Sequence, residues 1–298
     1  GEAVSGPLIT SILLAAASAL GNGVSTYPQA QSGCVLIPEG DTLRAEAAAP
    51  VDWYLLAPLP GHYGNLSPGG RPLGLGVDTL AYSIRALAAD TSSISLFPPA
   101  GTRYLAAGAP AAGGTLRTAE PPHVLFGGSV VQVAVRGGDD YLGYLEEMLG
   151  TPFLMAPRLT PGGSHQADSR LGCDCAGLAV YGRRRMGREV EYLGPRGLDR
   201  YLEPLFPDPL LPDSLSPAIF RGPEGDSLPV GPGGLMPGDI VHFGEQVSVF
   251  ARDLGARGVL DSEDLLLQSW FDGTGYCRVR ECGFFRRPLR VFRWAEGY

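Results

Sequence analysis

Glycine and proline interrupt this sequence so often that long, unbroken helices are the first thing it excludes: 43 glycines and 27 prolines stand among 298 residues. Proline removes a backbone donor and fixes φ, while glycine relaxes the chain toward turns. That density therefore favours short elements joined by many loops over a helical bundle. Apolar residues at 44% supply a sizeable core, and the length suits two domains.

Between residues 34 and 136, short β-prone runs alternate with Pro/Gly clusters: Cys34-Val35-Leu36-Ile37, Trp53-Tyr54-Leu55-Leu56, Ser95-Leu96-Phe97 and the run 130–135. They predict a small β-rich domain over 1–138. The apolar stretch 8–20 is too short to span a bilayer and reads as a buried helix. A secretory remnant is the alternative, although Glu2 stands where a positive residue would precede one. Gly74-Leu75-Gly76 lacks the third glycine of a dinucleotide fingerprint and reads as a turn.

At Gly137-Gly138 the period changes. Asp139 and Asp140 can cap a helix whose apolar positions are Tyr141, Tyr144, Leu145, Met148 and Leu149, with Glu146 and Glu147 facing outward and Gly150 as the stop. A second helix starts after Asp174 and ends in Arg183-Arg184-Arg185, three cations suited to the negative end of a helix dipole. The proline-rich stretch 192–234 reads as an insertion wrapping the surface. Runs at 239–243, 247–251, 265–270, 277–280 and 290–294 then read as strands, which makes the expected class α+β.

All 23 basic residues are arginine, which excludes lysine Schiff-base and phosphate-loop chemistry. A net charge of −8 argues against nucleic acid as a partner. Five cysteines are present, and Cys173/Cys175 with Cys277/Cys282 depart from zinc-knuckle spacing, so neither a metal nor another cofactor is expected. Cys277 and Cys282 read either as a hairpin disulfide or as two buried thiols. Cys173 reads as an unpaired loop thiol or as a resolving thiol beside Cys175. No G-x-S-x-G elbow supports a serine hydrolase.

Cys175 is the strongest candidate for chemistry. A thiol in a helix's first turn lies near unpaired N–H groups and the positive end of the dipole, a place that suits a nucleophile as well as a buried structural cysteine. Around it stand Leu149-Gly150-Thr151-Pro152-Phe153, Asp174-Cys175-Ala176-Gly177-Leu178 and Met236-Pro237-Gly238-Asp239-Ile240-Val241-His242-Phe243. In that order the three strings resemble the NlpC-type cell-wall cysteine peptidases, a papain-like family, over residues 139–285. The resemblance implies an α+β papain-like domain over 139–298, with helices packed on an antiparallel sheet and the insertion at 192–234, preceded by the β-rich domain over 1–138, which then serves targeting or substrate positioning.

It further implies an exported, cysteine-dependent amide hydrolase acting on bacterial peptidoglycan stem peptides. Cys175 is then the nucleophile, with Asp174, Phe153 and Ala176 on the substrate side. The position of the family's histidine falls on Gln246 and that of its polar third residue on Gln268. Glutamine cannot accept a thiol proton. His242, four residues earlier, is one substitute base, and His165 in a glycine-rich loop is another; His62 and His123 lie in the N-terminal domain. The alternative reading is a catalytically inactive NlpC-like protein that binds wall peptides or a protein partner, and a thiol redox protein is a third. No transmembrane span is expected.

Overall fold

The structure is a computed structural model. It describes residues 9–15, 24–26, 34–59, 62–64, 80–108, 114–118, 121–126, 129–160, 163–255 and 258–298, with backbone alone for 9–15, 24–26, 62–64 and Val124. The Gly74-Leu75-Gly76 turn lies outside the described residues. The chain divides into two compact units: Gly1–Asp139 with Glu146–Thr151, and Asp140–Leu145 with Pro152–Tyr298.

The first unit is built on an eight-stranded sheet. Its spine is the 17-residue strand Thr42–Pro58, paired antiparallel along one edge with the equally long Leu80–Leu96. Its other edge is shared: residues 42–47 take Ile9–Ala15, and residues 53–56 take Gly101–Ala107. Register shifts between Glu46 and Tyr54 mark where the strand changes partner, as bulges bend a strand and sharpen its twist. Gly101–Ala107 pairs in turn with Val130–Arg136, whose far edge carries Cys34–Pro38 in parallel.

Alternation along these inner strands feeds two cores, because successive side chains leave opposite faces of a strand. Tyr104 and Ala106 join Leu56, Tyr82 and Val130. Leu105 and Ala107 join Ile37, Leu43, Trp53 and Val133.

The second unit carries a six-stranded antiparallel sheet in the order Leu202–Pro204, Arg290–Trp294, Ile240–His242, Val247–Arg252, Leu265–Trp270, Gly273–Arg278. The helix Cys175–Arg185 packs on the two strands Val247–Arg252 and Leu265–Trp270. Leu210, Phe220, Leu228, Val241, Phe250, Leu266 and Val291 share one core.

Several expectations are corrected. The helix read over 8–20 is, where described, the strand Ile9–Ala15. A short apolar run does not declare its own period, and the open edge of Thr42–Pro58 decides the matter. The stretch 192–234 does not merely wrap the surface: Leu210, Phe220 and Leu228 are at most 2% exposed, and Leu202–Pro204 adds an edge strand. Prolines are tolerated there because the strands are short and lie at an edge.

The fold class is also corrected. Strands account for 45% and helices for 13%, with three α-helices among the described residues, so the molecule is mainly β and not a papain-like α+β fold of helices layered on a sheet. The helix expected over 139–150 runs only from Tyr141 to Glu146. Its last turn tightens, with Leu149 N–H donating to Glu146 O and Thr151 N–H to Met148 O. Glu147, expected to face outward, is fully buried, and its carbonyl accepts from the Thr102 hydroxyl at 2.7 Å. No helix among the described residues is long and apolar enough to cross a membrane.

Candidate functional site

The segment before the Cys175 helix is held from two sides. Leu154 N–H donates to Cys173 O at 3.0 Å, and the Ser269 hydroxyl donates to the same oxygen at 2.7 Å. Gly172 sits at φ +145°, where a Cβ would lie 2.5 Å from Pro152 O and 2.7 Å from Leu154 Cγ, so this approach admits glycine alone. Asp174 is extended, and its Oδ1 accepts from Gly177 N–H at 2.6 Å, which makes it the helix N-cap.

These contacts deliver the Cys175 thiol to the backbone before the Val247–Arg252 strand, with its Sγ 4.0 Å from Glu245 O. Burial pushes the thiol up to about 12, and the charge of Asp174 adds to the shift. N–H groups of Val247, Ala176 and Cys175 itself act in the opposite direction and lose. Cys173, fully buried with its Sγ 3.7 Å from Thr274 Oγ1, is likewise pushed up to about 12, chiefly by burial. Both thiols are free.

Gln246 and Gln268 are joined by a hydrogen bond. Gln246 is fully buried, and its Nε2 donates to Gln268 Oε1 at 3.4 Å and to Ser269 O at 3.3 Å. Gln268 Oε1 also accepts from the Ser248 hydroxyl at 3.1 Å. Turning the Gln246 amide over would set oxygen against two acceptors, so the network fixes its orientation. Gln246 Oε1 is then left buried without a hydrogen-bond donor, a condition that costs about 1–3 kcal/mol.

Both histidines of this unit are committed elsewhere. Gly244 N–H donates to His242 Nδ1 at 2.9 Å, so its proton sits on Nε2 and is donated to Pro195 O at 3.2 Å. His242 also meets the Phe292 ring edge-on. His165 has the same tautomer: Ala167 N–H approaches Nδ1 at 3.3 Å, Nε2 donates to Pro157 O at 3.0 Å, and the ring stacks on Tyr192 at 3.6 Å. Burial lowers its pKa. His123 belongs to the first unit, stacked on Tyr104, and the side chain of His62 is outside the described residues.

The substrate-side candidates differ in reach. Ala176 is fully buried, and Phe153 is 2% exposed in an edge-to-face aromatic group with Trp270 and Phe271. Asp174 alone of the three is partly open. Ser248, Ser269 and Thr274 were not singled out from the sequence. The signal for Ser269 was the polar pair Gln268-Ser269 inside the apolar run 265–270.

Asp239 of the third motif has a structural task. It is 4% exposed, takes Arg293 Nε at 2.8 Å and Nη2 at 2.6 Å, and accepts from Met236 N–H at 2.6 Å. The carboxylate thus anchors the turn that feeds the strand Ile240–His242. Among the described residues no group of three or more His, Cys, Asp or Glu is arranged to hold a metal.

Asp174 supplies a pH prediction. Burial raises its carboxyl to about 6 from 3.8, against the opposing hydrogen bonds from Gly177 and Ala156. The folded state therefore holds this proton to higher pH than the unfolded chain, so its contribution to stability is present below about pH 4 and is lost as pH rises to about 6. Asp174→Asn keeps the N-cap acceptor and removes the titration. Relative to parent, it is expected to gain on the order of 2–3 kcal/mol between those limits, since each pKa unit corresponds to about 1.4 kcal/mol. Denaturant midpoints at pH 4, 5, 6 and 7 check this; a constant difference between the two proteins would refute it. Asp264, also raised to about 6 by burial, adds a slope of the same sign to both.

In comparisons with known proteins, no family model, no curated protein and no solved structure matches the chain.

Proposed function

We propose that the second unit is a peptide-binding module carrying the motif series of NlpC-type peptidases without their proton acceptor, with peptidoglycan stem peptides or closely related peptides as its ligand. That ligand class belongs to the bacterial cell envelope, so an exported protein is part of the proposal. The observation that supports it best is the state of the unit's two imidazoles: in each, the acceptor nitrogen already takes a backbone N–H.

The residue at the position of the family's histidine is Gln246, whose amide is engaged by Gln268 and Ser269 and takes no proton at neutral pH. With its pKa raised to about 12, Cys175 is ionised to roughly one part in 10⁵ at pH 7. Amide hydrolysis would also forgo general-acid help to the leaving amine, typically about 10²–10⁴-fold. Binding needs neither group.

Two measurements test the reading. Site-resolved alkylation of Cys175 against pH is expected to rise only toward about 12; a midpoint below about 7 would restore the amide-hydrolase reading. Calorimetry with a synthetic stem tetrapeptide is expected to show equal binding by parent and Cys175→Ala, with intact peptide recovered afterwards. Cleavage by the parent that disappears in Cys175→Ala would overturn the binding reading, and absence of binding in both would sink the ligand class.

A further inference from the structure

The thiols of Cys277 and Cys282 lie 3.2 Å apart, and both are reduced. Cys277 is the last residue but one of the Gly273–Arg278 strand and is half-buried, while Cys282 follows the 3-10 turn Val279–Glu281 and is 3% exposed. Cys282 Sγ is also 3.6 Å from Gln268 Oε1. That oxygen already gathers the Ser248 hydroxyl and Gln246 Nε2.

We propose that Cys277 and Cys282 are a reversible dithiol–disulfide pair whose oxidation state is read by Gln268 and, through it, by Gln246. The oxidant is a small-molecule disulfide of the glutathione type. The more accessible Cys277, as thiolate, attacks one sulfur of that disulfide, forming a mixed disulfide and expelling one thiolate. Cys282 then attacks the Cys277 sulfur, its proton leaving with the second small thiol. Two protein thiols and one small disulfide become one protein disulfide and two small thiols, so the protein loses two electrons and the reagent gains them.

Oxidation removes the single Cys282 thiol hydrogen, which Gln268 Oε1 and Arg278 O share as acceptors, each at 3.6 Å. Two donors remain where three converged, and the Gln268 amide is free to settle toward Ser248 and Gln246. The hydrogen bond between the two thiols, then burial, raises Cys277 well above an ordinary thiol. Exchange is accordingly slow at neutral pH, with a rate expected to climb about tenfold per pH unit, as thiolate attack requires. This inference does not depend on whether the Cys175 site binds or cleaves peptides.

The test equilibrates the full chain in glutathione buffers of graded reduced-to-oxidised ratio, quenches with acid, and maps thiols by mass spectrometry. The chymotryptic peptide 277–284, which holds both cysteines, is expected to lose two hydrogens at oxidising ratios and regain them with dithiothreitol. Cys34, Cys173 and Cys175 should remain alkylatable after unfolding. Two alkylatable thiols at every ratio, or a reaction that stops at a glutathione adduct on Cys277, would overturn the pair. For the coupling, the side-chain amide NMR signals of Gln246 and Gln268 should shift on oxidation in the parent and stay still in Cys282→Ser. A disulfide that forms and leaves both signals unmoved would overturn the link to Gln268.

Discussion

Gln246→His should raise the rate of Cys175 alkylation at pH 7 on the order of 10³-fold, the change expected if the thiol returns from about 12 to an ordinary value near 8.5–9. The thiol lies beside the backbone that flanks position 246, with Glu245 O at 4.0 Å and Val247 N–H acting on the sulfur. An imidazole there would inherit Gln268 Oε1 as acceptor for one N–H, the partner Gln246 now uses. Its second nitrogen would be left to take the thiol proton. Site-resolved labelling between pH 6 and 10, in parent and variant, decides it. An unchanged profile would locate the silence of the thiol in its burial and in the Asp174 charge, with position 246 playing no part.

Trp53→Ala is expected to destabilise the first unit by about 3–5 kcal/mol, the range for deleting a large aromatic from a packed core. Trp53 is fully buried between Leu43, Leu105 and Val133, and its Nε1 donates to Thr91 O at 2.9 Å. It stands where Thr42–Pro58 shifts register against Leu80–Leu96, so the ring fills space at the bend itself. Trp53→Phe keeps most of the packing and leaves Thr91 O without its donor, for an expected loss of about 1–3 kcal/mol. Denaturant midpoints with unchanged slopes would measure both. A loss under 1 kcal/mol for the alanine variant would mean the two cores close over the gap.

What the sequence disclosed follows from how burial writes itself into local pattern. The runs 34–37, 53–56, 130–135, 265–270 and 290–294 lie in strands because β-branched and aromatic residues recur there between Pro/Gly breaks. The long strand Leu80–Leu96 was visible only at its end, since its alanine-rich and serine-rich middle carries neither period. Helices were overread for a related reason: the apolar spacing over 141–149 was real, yet burial of Glu147 shows that the segment is enclosed on more than one side.

The site was legible one residue at a time and not as a network. Cys175 at a helix start and its Asp174 cap could be read from residue types in order, while positions 246 and 268 came from the family resemblance. That Ser248 and Cys282 also converge on Gln268 depends on strand register and on the turn after Arg278, which no local pattern encodes. Asp239 is instructive in another way. A motif residue that looked like part of a catalytic string spends its carboxylate on Arg293 and a turn, so motif order alone weighs less than it first did.

The pairing of Cys34–Pro38 with Val130–Arg136 has a consequence for synthesis. Cys34 faces Gln132 across that parallel ladder, so the strand must wait until roughly 100 further residues have been made before its partner exists, a separation that slows closure. During translation, at about 5–20 residues per second, the nascent N-terminal unit therefore spends several seconds with one edge of its sheet uncovered. Ribosome-bound chains halted just short of residue 130 should be captured by holdase chaperones, and chains extended well past residue 151 should be released.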